Sequence, residues 1–441
     1  MSYAPYPAYK DSGVPWLGQV PDAWEVKRLS YATRFKGGST PSKNEDQFWI
    51  DGTIPWVSPK DMKRKEIHDT EDHLSELGAL QSASGLIDPG HVMMVVRSGI
   101  LRHSIPAAIN RVPVTVNQDM RVFLPFRELK SEFIYWVIEG LQKTLVDLWS
   151  KPGTTVESLE TEYVNSSPFP VPSIEEQTAI ADFLDKKTAE IDDLIAKKEK
   201  LLRLLAEQRT ALITHAVTKG LNPNAPMKPS GIDWLGDVPE GWEVKPFKRE
   251  VWYQEGPGIM AVDFRDDGVP LLRIRNLKPG KVELEGCNFL DHDMANGKWA
   301  HFQVEEGDRL ISTSASTGLV SVVDADAVGA IPYTGIIRIR PLSDSLLPEF
   351  LEYFVSSELF FDQIDLLATG TTIQHFGPYH LNQMIMAVPP IEEQVQLIET
   401  LASDLSKISE TKGMVEIALD RLREYRTALI TNAVTGKIKV A

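Results

Sequence analysis

Asp22, Glu25 and Lys27, in the run Pro21-Asp22-Ala23-Trp24-Glu25-Val26-Lys27, are the residue types with which metal-dependent nucleases hold Mg²⁺ and activate water. Nuclease carboxylates of that kind converge from separate strands, whereas these two lie close in sequence and flank a tryptophan. The phrase also returns as Pro239-Glu240-Gly241-Trp242-Glu243-Val244-Lys245. A whole phrase that recurs marks a turn entering a strand, with the tryptophan as its anchor, rather than an active site. No other catalytic signal fills the gap. There is no G-x-x-x-x-G-K-[ST] phosphate loop, and Phe35-Lys36-Gly37-Gly38-Ser39-Thr40 is too unlike a dinucleotide or cofactor glycine loop. The nine histidines lack metal-ligand spacing, and Asp291-His292-Asp293 reads as a solvated turn. No catalytic residue and no metal site are expected.

Asn165-Ser166-Ser167-Pro168-Phe169 faintly resembles the Asn-Pro-Pro-Phe of amino-methyltransferases, but the second copy of the region does not repeat it, so it reads as a strand exit. The length of 441 residues allows two or three domains, and the 42% apolar share is that of a folded chain. Cys287 is the single cysteine, which excludes a disulfide framework and every multi-cysteine metal site and fits a reducing cytoplasm. With no signal pattern and no run of about eighteen apolar residues, the expectation is a cytoplasmic protein that does not span a membrane. The net charge of −16 argues against a lone nucleic-acid binder, whose surface is normally basic. Any DNA binding must be local or shared with a partner. The excess acid lies mostly between Gly231 and Val388.

The elements that would position any site come in two copies. The opener Trp16-Leu17-Gly18 onward aligns with Trp234-Leu235-Gly236 onward, Pro172-Ser173-Ile174-Glu175-Glu176-Gln177 with Pro389-Pro390-Ile391-Glu392-Glu393-Gln394, and Arg209 to Val217 with Arg426 to Val434. The inserts between these frames have diverged. Ile54 to Val57, His91 to Arg97 and Met120 to Phe126 read as strands, with Val269 to Arg275, Asp308 to Ser314 and Gly335 to Pro341 as their counterparts. Ser131 to Trp149 and Pro348 to Leu367 read as helices. Each copy closes with a long helix. The first, Ile174 to about Thr218, carries Leu184, Thr188, Ile191, Ile195, Leu202, Leu205 and Leu212 at coiled-coil spacing, interrupted by Lys198 and Arg209. The second, Ile391 to about Val434, carries Val395, Ile398, Leu405, Val415, Leu419, Leu422 and Leu429, with Gly413 weakening its middle. Forty residues of helix span about 60 Å. The competing reading is a core bundle within one large domain. Charged flanks favour a two-stranded coil, and Leu221 to Gly231 reads as a Pro/Asn-rich linker.

Basic clusters follow corresponding strands in the two inserts. Lys60, Lys63, Arg64 and Lys65 form one, and Arg273, Arg275, Asn276 and Lys278 form the other. Lysine and arginine there suit phosphates, while arginine and asparagine suit guanine and adenine edges. Arg97 and Arg102, in Arg97 to Ser104, form a further candidate loop against the uncharged Ser312 to Ser321. The alternative for each is a solvated charge run.

Two divergent inserts, each framed by W-L-G-x-V-P-x-x-W-E-V-K and by a Gly-Thr-Thr (Gly153-Thr154-Thr155, Gly370-Thr371-Thr372) before V-P-x-I-E-E-Q and a long helix, resemble the specificity subunits of type I restriction-modification enzymes. The resemblance spans nearly the whole chain. It implies an α+β fold: two α/β target-recognition domains in tandem repeat, separated by two long antiparallel coiled-coil helices with a pseudo-two-fold. The segments expected are 1–30 (arm and opener), 31–171 (first recognition domain), 172–219 (spacer helix), 220–246 (linker and opener), 247–388 (second recognition domain) and 389–441 (spacer helix and tail). It further implies a non-catalytic subunit that binds double-stranded DNA. Each domain reads one half of a split, asymmetric site, with half-sites about one helical turn apart, ~34 Å. Glu176, Gln177, Leu184, Ile191, Leu202, Leu205, Leu212, Glu393, Gln394, Ile398, Leu405, Leu419, Leu422 and Leu429 would form the spacer and dock two modification subunits. No cofactor is expected on this chain. S-adenosylmethionine, ATP and Mg²⁺ belong to the partners, which include restriction subunits where a system has them. A two-module scaffold that ignores DNA, and a self-sufficient nuclease or methyltransferase, are the competing functions.

Overall fold

The computed structural model describes residues 3–150, 157–313, 319–367 and 376–440. Both Gly-Thr-Thr runs and residues 314–318 of the serine-rich loop lie outside the described residues. The chain divides into two compact units, Met1–Lys198 with Ile417–Ala441, and Glu199–Glu416. Each long helix gives one half to each unit.

In the first unit, the hairpin Tyr9–Asp11 with Gln19–Pro21 leads to Trp24, which is fully buried and meets the Phe133 ring edge-on at 6.4 Å. The strand Glu25–Arg28 then pairs antiparallel with Pro168–Val171, so the two ends of the insert are pinned side by side. Between them runs a five-stranded sheet in the order Thr33–Gly37, Met120–Pro125, Val92–Val95, Ala107–Asn110, Glu66–Ile67. A three-stranded sheet of Thr115–Val116, Ile54–Val57 and His73–Leu74 completes it. Val92 to Val95 and Ala107 to Asn110 are buried on both faces, as the apolar runs Val92 to Val95 and Ala107 to Ile109 require. The helical stretch expected over Ser131 to Trp149 is two helices, Ser131–Gly140 and Gln142–Trp149. The break has a cause. Gly140 rests on the second long helix, where a Cβ would stand 2.9 Å from Ile430 Cγ2, and its carbonyl accepts a bond from Thr431 Oγ1 at 2.6 Å.

The second unit repeats this plan. Met227–Pro229 pairs with Asp237–Pro239, so the stretch expected to be a linker contains a copy of the N-terminal hairpin. Trp242 is fully buried against Phe350, again at 6.4 Å, and Glu243–Pro246 pairs with Ile385–Val388. The insert holds a four-stranded sheet in the order Val251–Glu255, Ile336–Pro341, Arg309–Ser312, Val320–Val322. Its helices, Pro348–Val355 and Glu358–Leu367, are also separated. Here the Glu358 N–H donates to Thr214 Oγ1 at 2.9 Å. Thr214 and Thr431 hold the same place in the repeated R-T-A-L-I-T motif, so each helix end latches onto the insert in its unit.

The long helices run Ile174–Lys219 and Ile391–Val434, uninterrupted at Gly413. They are antiparallel within each unit. Asp192 pairs with Arg426 in the first, where Ile180 and Leu184 share a core with Leu429, Ile430 and Val434. In the second unit Ile213, Ala216 and Val217 share a core with Leu397 and Leu401. The heptad expectation is corrected at the ends. Val395 is 41% exposed, while Ile180, Ile213, Leu397, Leu401 and Ile430 are buried. Where an insert also leans on the helices, the apolar stripe widens beyond a two-helix seam.

Candidate nucleic-acid interface

The acids of the opener do not build a metal site. Lys27 lies 2.7 Å from Glu25 and 2.6 Å from Glu128, and in the second copy Lys245 lies 3.0 Å from Glu243 and 3.5 Å from Glu250. The Lys27 ammonium holds the Glu25 carboxyl below its ordinary range, and Glu128 in turn raises Lys27. These carboxylates neutralise a frame lysine. Among the described residues no group of three or more His, Cys, Asp or Glu side chains is placed to hold a metal ion.

The loops at one end of the first unit's five-stranded sheet are brought together by register. Gly37 faces Arg121, Met120 faces Val95, Met94 faces Ala107, and Ile109 runs parallel beside Glu66. The chain therefore leaves or enters this end four times: at Lys36 to Thr40, before Met120, through Arg97 to Ser104, and through Lys60 to Lys65. Segments far apart in sequence share one edge. The second unit gathers the equivalent segments: after Glu255, before Ile336, and after Ser312 at the far end of its strand. The Leu277–Lys278 and Lys281–Val282 ribbon joins them, with the Gly280 N–H bonded to the Val320 carbonyl at 3.0 Å.

Side chains at this end fall into two groups. Lys63 and Arg64 are exposed and make no ion pair among the described residues. Lys60 is exposed and lies 3.5 Å from Glu71 and 3.6 Å from Asp72, which raise its pKa, Asp72 foremost. Arg97 pairs with Asp119 at 2.7 Å and Arg102 with Glu157 at 2.8 Å. Lys65 departs from expectation. It turns inward to Asp185 on the first long helix and lies 5.0 Å from the Trp136 ring centre, so it fastens insert to helix.

In the second unit, Arg273 lies 5.3 Å from the Tyr333 ring centre and 5.8 Å from that of Phe264, and Arg275 donates to the Gly286 carbonyl. Lys278 is half-buried and has no ion pair among the described residues. Asn276 is corrected outright. It is fully buried, its Oδ1 accepts the Arg273 N–H at 2.9 Å, and its Nδ2 donates to the Glu283 and Glu285 carbonyls at 2.9 and 3.1 Å. Nothing remains for a base edge. Asp61 makes the same turn in the first unit, taking the Ser58 N–H at 2.9 Å, so Asp/Asn at this position closes a 3₁₀ turn in both copies.

On the helices, Leu184, Ile191, Leu205, Leu419 and Leu429 are buried, and Leu202, Leu212, Ile398, Leu405 and Leu422 are half-buried. Glu176 accepts a bond from the Tyr6 hydroxyl, whose pKa rises mainly through burial, while Glu393 is half-buried. Gln177 and Gln394 cannot offer a docking surface, because both are fully buried. The Gln177 Oε1 accepts the Lys130 N–H at 2.8 Å, and its Nε2 donates to the Glu128 and Pro172 carbonyls at 2.8 and 2.9 Å. Gln394 repeats the set on Leu347, Ser345 and Pro389 at 2.8, 2.8 and 2.9 Å. The invariant of the two helix starts is thus a clamp between insert and helix. Sequence reasoning passed over Lys36 and Arg121 at the loop end. The signal available was the pair of glycines beside Lys36, tested only against cofactor loops.

The family described as type I restriction modification DNA specificity domain matches residues 21–203. An Escherichia coli protein, the type I restriction enzyme EcoR124I/EcoR124II specificity subunit, is 39% identical over 162 residues, 37% of this chain and 40% of that relative. The MjaIX specificity subunit of Methanocaldococcus jannaschii is 25% identical over 96% of this chain and 95% of its own length. Among solved structures, a chain from work on assembly and conformational transition of the type I R-M system superposes with a TM-score of 0.72 at 15% identity, covering 94% of this chain and 98% of that one. The HsdS subunit from Thermoanaerobacter tengcongensis gives 0.54 at 16% identity, covering 95% and 98%.

Proposed function

The chain belongs to the specificity subunits of type I restriction-modification enzymes, and from that premise we propose that its two inserts each read one half of a split DNA site. The observation that supports this reading is the repeated frame, which carries two different loop sets at the same end of equivalent sheets. A frame kept while its loops diverge suits two targets read by one geometry. Lys60, Lys63, Arg64, Arg97, Arg102 and Lys278 are the cations proposed to meet phosphates or base edges, and Arg273 and Arg275 support the second loop set. Lys65 and Asn276 are set aside as internal.

In this reading the exposed flanks of the long helices receive two modification subunits, and their length fixes the gap between half-sites. The chain supplies no chemistry of its own. S-adenosylmethionine-dependent adenine methylation, and ATP- and Mg²⁺-dependent translocation and cleavage where a restriction subunit exists, reside in the partners, and the assembly works in the cytoplasm. No helix among the described residues is long and apolar enough to cross a membrane.

The test is to co-express the chain with its neighbouring modification subunit in a methylation-free host and sequence the genome for N6-methyladenine. One split, asymmetric motif is the expected result. A folded complex that leaves no motif and shows no salt-dependent DNA binding would overturn the reading.

A further inference from the structure

Close backbone packing fixes the correspondence between the two loop ends. A Cβ on Gly38 would overlap the Val116 carbonyl, and one on Gly256 would overlap that of Pro332. Counting from these anchors, Gly37 corresponds to Glu255 and Arg121 to Ile337. The strand registers agree, since Arg121 faces Gly37 and Ile337 faces Glu255. One structural cell therefore holds arginine over glycine in the first unit, and isoleucine beside glutamate in the second.

The first cell leaves its cation available. A side chain at Gly37 would overlap Arg121 Nη1, so the glycine is what lets the guanidinium lie across the strand end. Arg121 makes only a 3.4 Å bond to the Met120 carbonyl and no ion pair among the described residues, while Arg97 and Arg102 at the same end have carboxylate partners. The second cell inverts the charge. Ile337 is fully buried, and Glu255 Oε1 accepts from the Gly335 N–H and the Thr334 hydroxyl, both at 3.3 Å, with no cation paired to it among the described residues. A guanidinium forks onto phosphate or onto guanine O6 and N7, whereas a carboxylate accepts from cytosine N4 and repels phosphate.

We propose that Arg121 contacts DNA in the first recognition domain and that Glu255, on the facing strand of the equivalent cell, does so in the second, so the two domains meet their half-sites with opposite charge. This rests on the DNA-recognition reading above.

The experiment uses the complex with modification subunits, the methylated motif read by sequencing, and duplexes carrying that motif titrated at several salt concentrations. Arg121→Ala is expected to relax or change one half of the motif, with roughly tenfold or greater loss of discrimination, or to lower the salt slope by about 0.9. Glu255→Gln is expected to alter only the other half. Arg121→Gln, which keeps the side-chain bulk, serves if the alanine variant fails to fold. Wild-type motif and wild-type salt slope in both folded variants would overturn the inference, as would an Arg121 effect confined to the half that Glu255 governs. A wild-type complex with neither motif nor salt-dependent binding would instead remove the DNA reading itself.

Discussion

Gln177 and Gln394 show how much one buried polar side chain can fix. Each is fully buried and joins two carbonyls and an N–H, and burying polar groups unpaired costs roughly 1–3 kcal/mol apiece. Gln394→Leu is expected to destabilise its unit by about 3 kcal/mol, read as a lower midpoint of the first urea transition. An unchanged midpoint would mean these bonds are dispensable. A second residue-scale effect depends on pH. Arg111 donates from Nε and Nη2 to Glu66 Oε1 at 3.0 and 2.7 Å and holds that carboxyl below its ordinary value. The folded pKa lies below the unfolded one, about 4.3, so the contribution is complete above that pH and fades as pH falls through the folded value. Arg111→Ala should therefore flatten the loss of stability as pH falls below about 4.3. Parallel curves for the two proteins would remove Arg111 as the cause.

At the scale of elements, two glycines in helices have opposite meanings. Gly413 sits inside the second long helix with nothing within 4 Å of a Cβ, so its only effect is the conformational freedom it lends the unfolded chain. Gly413→Ala should stabilise by about 0.5–1 kcal/mol. Gly140 ends a helix where a Cβ would stand 2.9 Å from Ile430 Cγ2 and 3.1 Å from Val434 Cγ2. Gly140→Ala should destabilise, since neither branched side chain can retreat inside a helix. Melting temperatures of the two variants on either side of wild type would confirm the contrast, and two equal shifts would refute it. The same latch accounts for the repeated R-T-A-L-I-T motif, whose threonines bond to the helix breaks at Gly140 and Glu358.

For the whole molecule, the frame and the inserts are separable by construction. The opener strand, the strand before each long helix, the buried tryptophan and the clamping glutamine recur with the same partners in both units. Replacing residues 249–388 by a second copy of 31–171 is expected to give a folded chain whose methylated motif has the same bases in both halves. A motif that keeps its original second half would show that specificity lies outside the inserts.

The repeat, the two long helices, the strands Ile54 to Val57 and Met120 to Pro125 and the absence of a phosphate loop are legible in the sequence, because periodicity and duplication are local properties of a chain. The family resemblance rests on the same local signals. Which cations face outward is not legible. Lys65 and Arg64 are neighbours of one type, yet only tertiary packing brings Asp185 and Trp136 to Lys65. Asn276 looks like a base reader until the fold supplies three backbone groups that consume it. The helix stripe, too, reads as a two-stranded seam until the inserts widen it at Ile180 and Leu401. Sequence alone determined a duplicated frame holding two different inserts. Tertiary structure decided which side chains that frame consumes and which it leaves at the loop end, because pairing and burial are set by partners that only the folded chain brings into contact.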